Sequence, residues 1–254
     1  MNEEKLQNSN IKLQTFAEHI GELRGRIIIT VSILLCLFLI SYFSTPFFLG
    51  VIKSSATQYG LDLNVFKVTE SVKIYIKIML VQALSATIPI IVVQIYLFIK
   101  PALNIQTRKM AILLVPIASI LFFFGAFLGF YVISPILLSF FINVSNTLEL
   151  NTVYNFTDFF DFIFAICIVF GLILELPAFL SFLTLVGIVS VNLLKKLRKF
   201  IYPILCLFSM IVTPPDFFSE IIVMSLVFIL FEISLLICSV ISSKQINNSK
   251  KTQN

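Results

Sequence analysis

Charged residues are scarce in this sequence. Asp, Glu, Lys and Arg make up 12% of its 254 residues, whereas a soluble domain carries about 25%. Hydrophobic residues reach 59%, and the mean hydropathy is +1.04. So few polar side chains cannot cover a water-soluble globule. Lipid must therefore surround most of the protein surface, and we predict an integral membrane protein.

Residues and motifs of common catalytic and cofactor sites are also missing. His19 is the only histidine, which excludes a histidine-built metal site. The sequence contains no G-x-x-x-x-G-K-[ST], G-x-G-x-x-G or H-E-x-x-H, so it predicts neither a nucleotide site nor a hydrolase. The four cysteines lie in apolar runs without a C-x-x-C pair, which favours buried thiols. We expect no enzyme activity, no cofactor and no metal.

Long apolar runs are what the sequence does have. A membrane-spanning helix needs roughly 20 apolar residues, and six segments qualify or nearly qualify: 27–48, 71–99, 110–136, 159–187, 200–212 and 217–241. The fourth is long enough that it must tilt, or bend near Pro177. The fifth rises only about 20 Å, less than a hydrocarbon core of about 30 Å. These runs predict an all-α protein with six transmembrane helices.

Basic residues indicate which way the six segments face. All but four of the 18 lysines and arginines precede the first segment, follow the last, or lie between the second and third or the fourth and fifth; the exceptions are Lys53, Lys67, Lys73 and Lys77. Cytoplasmic loops carry such an excess, so both termini are predicted on the cytoplasmic side, or the stromal side in an organelle. The net charge of +5 is thus a topology signal, and no nucleic acid partner is expected.

The segment before the first span has its own pattern. Apolar residues recur at spacings of three and four at positions 13, 16, 20, 23 and 27, with polar residues opposite. This spacing predicts an amphipathic helix at the membrane interface, or a simple surface anchor. We therefore divide the chain into 1–26, a tail and interfacial helix; 27–241, the six-helix domain; and 242–254, a polar tail.

Five short stretches, in order along the chain, resemble the TatC family, the multi-spanning receptor of the twin-arginine protein translocase. Residues 19–26 read His-Ile-Gly-Glu-Leu-Arg-Gly-Arg and resemble the family signature H-L-x-E-L-R-x-R-L. The others are Gln94 with Phe98 and 101–103; Phe-Gly and Glu-Leu-Pro within 170–177; Thr-Pro-Pro-Asp-Phe-Phe-Ser at 213–219; and Phe-Glu-Ile at 231–233. Together they extend the resemblance from residue 16 to about residue 240.

The resemblance implies an architecture and a function. TatC proteins form a concave six-helix bundle that binds the twin-arginine signal peptides of folded cargo on the cytoplasmic side. They work with single-span TatA- and TatB-type subunits as a hetero-oligomer in lipid, driven by the proton-motive force. The alternative is a six-span secondary transporter of a small solute that uses Glu175 and Glu232. Its usual marks are paired broken helices and inverted repeats, but the sequence shows one break, at Pro177, and no clear repeat.

Recognition of two arginines requires acids on a face that is otherwise basic, since a guanidinium pairs best with a carboxylate. Glu18 and Glu22 lie four residues apart on one side of the first helix and would repel each other. Glu22 is the stronger candidate, and the alternative is a helix-surface pair with Arg26. Arg24 belongs to the same signature stretch.

The first cytoplasmic loop departs from the family pattern. Where the family carries a second arginine-binding glutamate, in a pattern like P-x-L-Y-x-H-E-R-R, this chain has Thr107, preceded by Gln106. A neutral hydroxyl cannot pair with a guanidinium as a carboxylate does. The loop therefore contacts the ligand through Thr107 and Gln106, or recognition depends more heavily on Glu22.

Ionisable residues inside predicted spans are functional candidates. The resemblance places Glu175, with Pro177 nearby, towards the inner cavity of the bundle, and Glu232 is a second intramembrane acid. For both, the alternative is interhelical hydrogen bonding. In the outer turn, Pro214 and Pro215 stop one helix, and Asp216 is a good N-cap for the next.

Composition gives a hint of the membrane. The N-terminus is polar and acidic and resembles neither a signal peptide nor a transit peptide. Phenylalanine is abundant, with 28 residues, and tryptophan is absent, a bias typical of AT-rich genomes. We favour a plastid thylakoid or another organellar membrane over a bacterial plasma membrane.

Overall fold

The computed structural model describes residues 2–61, 63–149, 153–212 and 217–252, apart from the side chains of residues 2–19, 102, 106, 208, 211, 212, 218, 219 and 244–252. Helices dominate this part of the chain, as predicted. They are α1 (Asn2–Gln58), α2 (Val68–Ile99), α3 (Ile105–Leu128), α4 (Ser134–Thr147), α5 (Phe156–Val186), α6 (Val191–Val212) and α7 (Phe217–Thr252).

Five stretches are long and apolar enough to cross a membrane, and they coincide with five of the six predicted segments. They are Ile20–Gln58, Val68–Ile99, Thr107–Thr147, Phe156–Val186 and Glu220–Ser243. The remaining predicted segment lies in α6, whose first half carries four basic residues, at positions 195, 196, 198 and 199. This segment, 200–212, is the one that the sequence analysis finds too short for the thickness of a hydrocarbon core.

Two elements differ from the sequence predictions, whereas α5 agrees with them, because it passes through Pro177 as one helix, as does the single predicted segment 159–187. α1 continues through residue 26 without interruption, so there is no turn between the N-terminal helix and the first span. The third segment is longer than predicted because α3 and α4 are joined by a π-helical turn, Gly129–Ile133. Pro135 follows at the start of α4, where its missing N–H is tolerated more easily than in a helix interior.

Short strands join two loops at one end of the bundle, which we call the strand end. β1 (Leu63–Asn64) pairs in parallel with β2 (Tyr154–Asn155). Asn155 then caps α5, because its side-chain oxygen accepts from the Thr157 N–H at 2.9 Å. These contacts fix the starts of α2 and α5 next to each other.

α5 is the central helix. Phe170 and Ile173 of α5 pack with Val223 and Val227 of α7. On another side, α3 lies so close to α5 that a Cβ placed on Gly125 would be 2.3 Å from the carbonyl oxygen of Phe170. Such an approach requires a small residue, as is common between helices in lipid.

Candidate functional site

Glu22 and Arg26 form an ion pair one helical turn apart on α1. Nη2 of Arg26 lies 2.5 Å from Oε1 of Glu22, and Nε of Arg26 donates to the same oxygen at 3.2 Å. The Glu22 side chain is 37% exposed and the Arg26 side chain 20% exposed. The pairing with Arg26, one of the two alternatives that the sequence left for Glu22, is therefore present. A carboxylate has about four acceptor positions, so this pairing is compatible with a second guanidinium.

Arg26 also joins α1 to the end of α2. Its Nη1 donates to Oε1 of Gln94 at 3.2 Å, and its Nη2 donates to the carbonyl oxygen of Leu97 at 3.0 Å. One guanidinium thus holds the Glu22 carboxylate against a neighbouring helix. We call the end of the bundle where these residues meet the Glu22 end.

The loop that leads to Thr107 follows α2 directly. A 3₁₀ turn, Lys100–Ala102, leaves α2, and α3 begins at Ile105, so Thr107 lies partly buried in the first turn of α3. No acidic residue occupies that turn. Chain connection therefore brings Thr107 to the Glu22 end. Arg24 is exposed on α1. The side chains of Glu18 and Gln106 lie outside the described residues, so their roles stay predictions.

Glu175 lines a cavity of about 480 Å³ between α2, α3 and α5. The other residues around it are almost entirely apolar, among them Ile88, Ile91, Leu114 and Phe179. Oε1 of Glu175 is buried and has no hydrogen-bond partner within the described part of the chain. A carboxyl group left this way is costly in a non-polar environment. The cavity placement of Glu175 agrees with the expectation, whereas the interhelical hydrogen bond, the alternative, is not formed by this oxygen.

Glu232 lies elsewhere and is paired. It accepts from Nη2 of Arg198 at 2.7 Å and from the hydroxyl group of Tyr202, both on α6. This is the interhelical alternative, and Glu232 is not among the residues that line the Glu175 cavity. Pro177 is buried within α5 and does not line that cavity either. A transporter that couples Glu175 to Glu232 is therefore not favoured.

Two features remain, the predicted outer turn and an ion pair that the sequence did not predict. The outer turn with Pro214, Pro215 and Asp216 lies outside the described residues. Sequence reasoning missed an ion pair between Lys77 of α2 and Asp161 of α5, whose Nζ–Oδ distances are both 2.6 Å. Nothing local signals this pair, because 84 residues separate its members along the chain.

The helices and their lipid-facing composition define a polytopic α-helical membrane protein. A family model, the Sec-independent protein translocase protein (TatC), matches residues 18–225. The chain belongs to the TatC family. It is thus a component of the Sec-independent protein translocase, and the prediction that it is not an enzyme is confirmed by this membership.

Relatives match over nearly their whole length. The chain is 32% identical to TatCd and 30% identical to TatCy of Bacillus subtilis, over 89% of its length and 92% and 89% of theirs. It is 29% identical to TatC of Halalkalibacterium halodurans, covering 89% of each chain. A crystal structure of the twin-arginine translocase receptor TatC superposes with a TM-score of 0.78 over 88% of this chain and 99% of that one, at 24% identity. The overall fold is therefore shared with that receptor.

Proposed function

We propose that this protein is the receptor that binds twin-arginine signal peptides of folded cargo at its Glu22 end. The observation that carries the proposal is the Glu22 carboxylate, which Arg26 holds in place while Arg26 itself bonds to Gln94 and Leu97 of α2. A partly exposed acid with a fixed position is suited to an incoming guanidinium. The neighbouring stretch 100–109 then supplies Thr107 to the same ligand.

The Glu22–Arg26 pair can give way to a ligand at little cost. An exposed ion pair at i, i+4 contributes only about 0.3–0.5 kcal/mol, and Arg26 keeps its bonds to Gln94 and Leu97 of α2 when Glu22 turns to a ligand. Two adjacent arginines bring twice the charge of Arg26, and either can pair with the carboxylate bidentately.

The topology proposed with this function has six crossings, with α6 as the short fifth crossing and both termini on the cytoplasmic or stromal side. TatA- and TatB-type single-span subunits complete a hetero-oligomer. The basic residues in the first parts of α1, α3 and α6 support this orientation. A plastid thylakoid or another organellar membrane is the proposed location.

Site-specific crosslinking tests the proposal. A twin-arginine signal peptide with a photoreactive group beside its arginines is bound to the protein in nanodiscs, and the adducts are mapped by mass spectrometry. Adducts within residues 18–26 and 94–107 are expected. Adducts concentrated instead near β1 and β2, at the strand end, would overturn the assignment.

A further inference from the structure

Arg26 of α1 is held by two acceptors on the last turns of α2. Its Nη1 donates to Oε1 of Gln94 at 3.2 Å, and its Nη2 donates to the carbonyl oxygen of Leu97 at 3.0 Å. Residues three apart lie on the same face of a helix, so one planar guanidinium reaches both. The Arg26 side chain is only 20% exposed. Arg26 is therefore fixed to α2 independently of its pair with Glu22.

Pro101 leaves the Leu97 carbonyl to Arg26. In an α-helix this carbonyl would accept from the N–H four residues later, but that residue is Pro101, which has no N–H. The N–H of Lys100 donates instead to the carbonyl of Tyr96. The Leu97 carbonyl is thus open to a donor from another helix, and Arg26 supplies one. The end of α2 therefore has a built position for a guanidinium, with Gln94 as its side-chain acceptor.

This position decides how Arg26 meets Glu22. Nε and Nη2 of Arg26 both donate to the same carboxylate oxygen, Oε1, at 3.2 and 2.5 Å. In a bidentate pair, by contrast, two donors meet both oxygens of the carboxylate. Because Nη1 is bonded to Gln94 and Nη2 is shared with Leu97, the guanidinium is not oriented for the bidentate pair. Arg26 thus contacts Glu22 in the mode that competes less with an arriving arginine.

Loss of the Gln94 oxygen would change that balance. Nη1 of Arg26 would be released, and the Leu97 carbonyl would be the remaining acceptor on α2. A released guanidinium turns to the adjacent carboxylate and pairs with both of its oxygens. Glu22 would then have to break a stronger contact before it could pair with a ligand.

We propose that Gln94 is a positioning residue for signal-peptide binding, because it holds Arg26 on α2 and so keeps the Glu22 carboxylate available to the arginines of the ligand. This inference rests on the proposed function of the Glu22 end. Gln94 acts through Arg26 and Glu22 and does not contact the peptide. Its effect on affinity therefore exists only while residue 22 is a carboxylate.

Signal-peptide titration of Gln94→Met protein in nanodiscs tests the inference by fluorescence anisotropy. Methionine has a similar length but no acceptor oxygen, so Kd should rise about 3- to 10-fold. Val93→Met is the matched control, since Val93 is the neighbouring residue and is 38% exposed. It should leave Kd within about twofold of wild type. An unchanged Kd for folded Gln94→Met protein, with weakened binding by Glu22→Gln, overturns this inference alone, whereas unchanged binding by both overturns the proposed function.

The same substitution in the Glu22→Gln background separates positioning from a structural role. With no carboxylate left to position, Gln94→Met should change Kd less than about 1.5-fold there. An equal loss in both backgrounds would show that Gln94 merely packs α1 on α2, and would overturn the inference. Gln94→Glu keeps an acceptor oxygen and should recover most of the lost affinity, and failure to do so also contradicts the inference.

Folding of these variants is expected because other bonds also join α1 to α2. Ser44 donates to Oε1 of Gln82, and the hydroxyl group of Tyr75 donates to the carbonyl oxygen of Tyr42 at 3.0 Å. If Gln94→Met protein nevertheless does not fold, Gln94→Asn replaces it in both backgrounds. Asparagine keeps the amide but is shorter by one methylene, about 1.5 Å, so it should give the same rise in Kd, and an unchanged Kd overturns the inference.

Discussion

Replacing Glu22 by glutamine removes one charge from the Glu22 end with little change in size. The variant loses its pair with Arg26, worth about 0.3–0.5 kcal/mol at this exposure, and Arg26 retains Gln94 and Leu97 as acceptors. Folding stability should therefore change by less than about 0.5 kcal/mol. Binding of an arginine pair should change by much more.

The size of the binding loss follows from the contacts that the ligand would make. A charge-assisted hydrogen bond contributes about 1.5–3 kcal/mol, and partial exposure of Glu22, at 37%, reduces this through solvent screening. We expect a net loss of about 1–2 kcal/mol, which raises Kd about 5- to 30-fold. Because the interaction is electrostatic and partly exposed, the difference should shrink as salt increases.

Fluorescence anisotropy of a labelled twin-arginine signal peptide, titrated with protein in nanodiscs, measures this change. Glu70→Gln is a suitable control, since Glu70 is an acid at the start of α2, where its carboxylate accepts from the Phe66 N–H at 3.0 Å. Its effect on peptide binding should be less than twofold. If folded Glu22→Gln protein binds the peptide within twofold of wild type, the reasoning about Glu22 is refuted.

Three further changes have definite expected outcomes. Gly125→Leu should destabilise the bundle by about 1–3 kcal/mol, because the added side chain overpacks against α5. Gly50→Leu should not destabilise it, because nothing lies within 4 Å of a Cβ added at Gly50. Thermal unfolding in detergent compares the two variants, and equal effects would contradict the close packing of α3 and α5. Thr107→Glu adds a second carboxylate at the Glu22 end and should tighten peptide binding about 3- to 10-fold; unchanged or weaker affinity means that this position does not reach the ligand. Asp161→Asn leaves Lys77 without its acid and should lower the midpoint of unfolding by a few degrees; no shift beyond error would show that the pair adds nothing to stability.

The helical architecture was predictable because length and apolarity alone specify a spanning helix. Apolar run 159–187 corresponds to α5, for example, and 71–99 to α2, within three residues at each end. The continuity of α1 was not predictable, since an amphipathic helix and a span differ in pattern, and nothing in the sequence shows whether the helix axis bends between them. The π-helical turn at Gly129–Ile133 likewise has no local composition that distinguishes it from ordinary helix.

The candidate site was predictable residue by residue but not in its connections. Spacing on one helix was enough to suggest the Glu22–Arg26 pair. The bonds from Arg26 to Gln94 and Leu97 join residues 68 and 71 positions apart, and only the packing of α1 on α2 creates them. For the same reason, the sequence could not separate Glu175, which faces a cavity, from Glu232, which is paired across two helices.

The most direct measurement compares an arginine-arginine signal peptide with its lysine-lysine counterpart on wild-type and Glu22→Gln protein, as a double-mutant cycle. Lysine keeps the charge but loses the planar, bidentate donor. Capture by the Glu22 carboxylate predicts that wild type prefers the arginine pair at least tenfold and that this preference falls to below threefold in the variant. Equal preference in the two proteins would contradict the central role of Glu22.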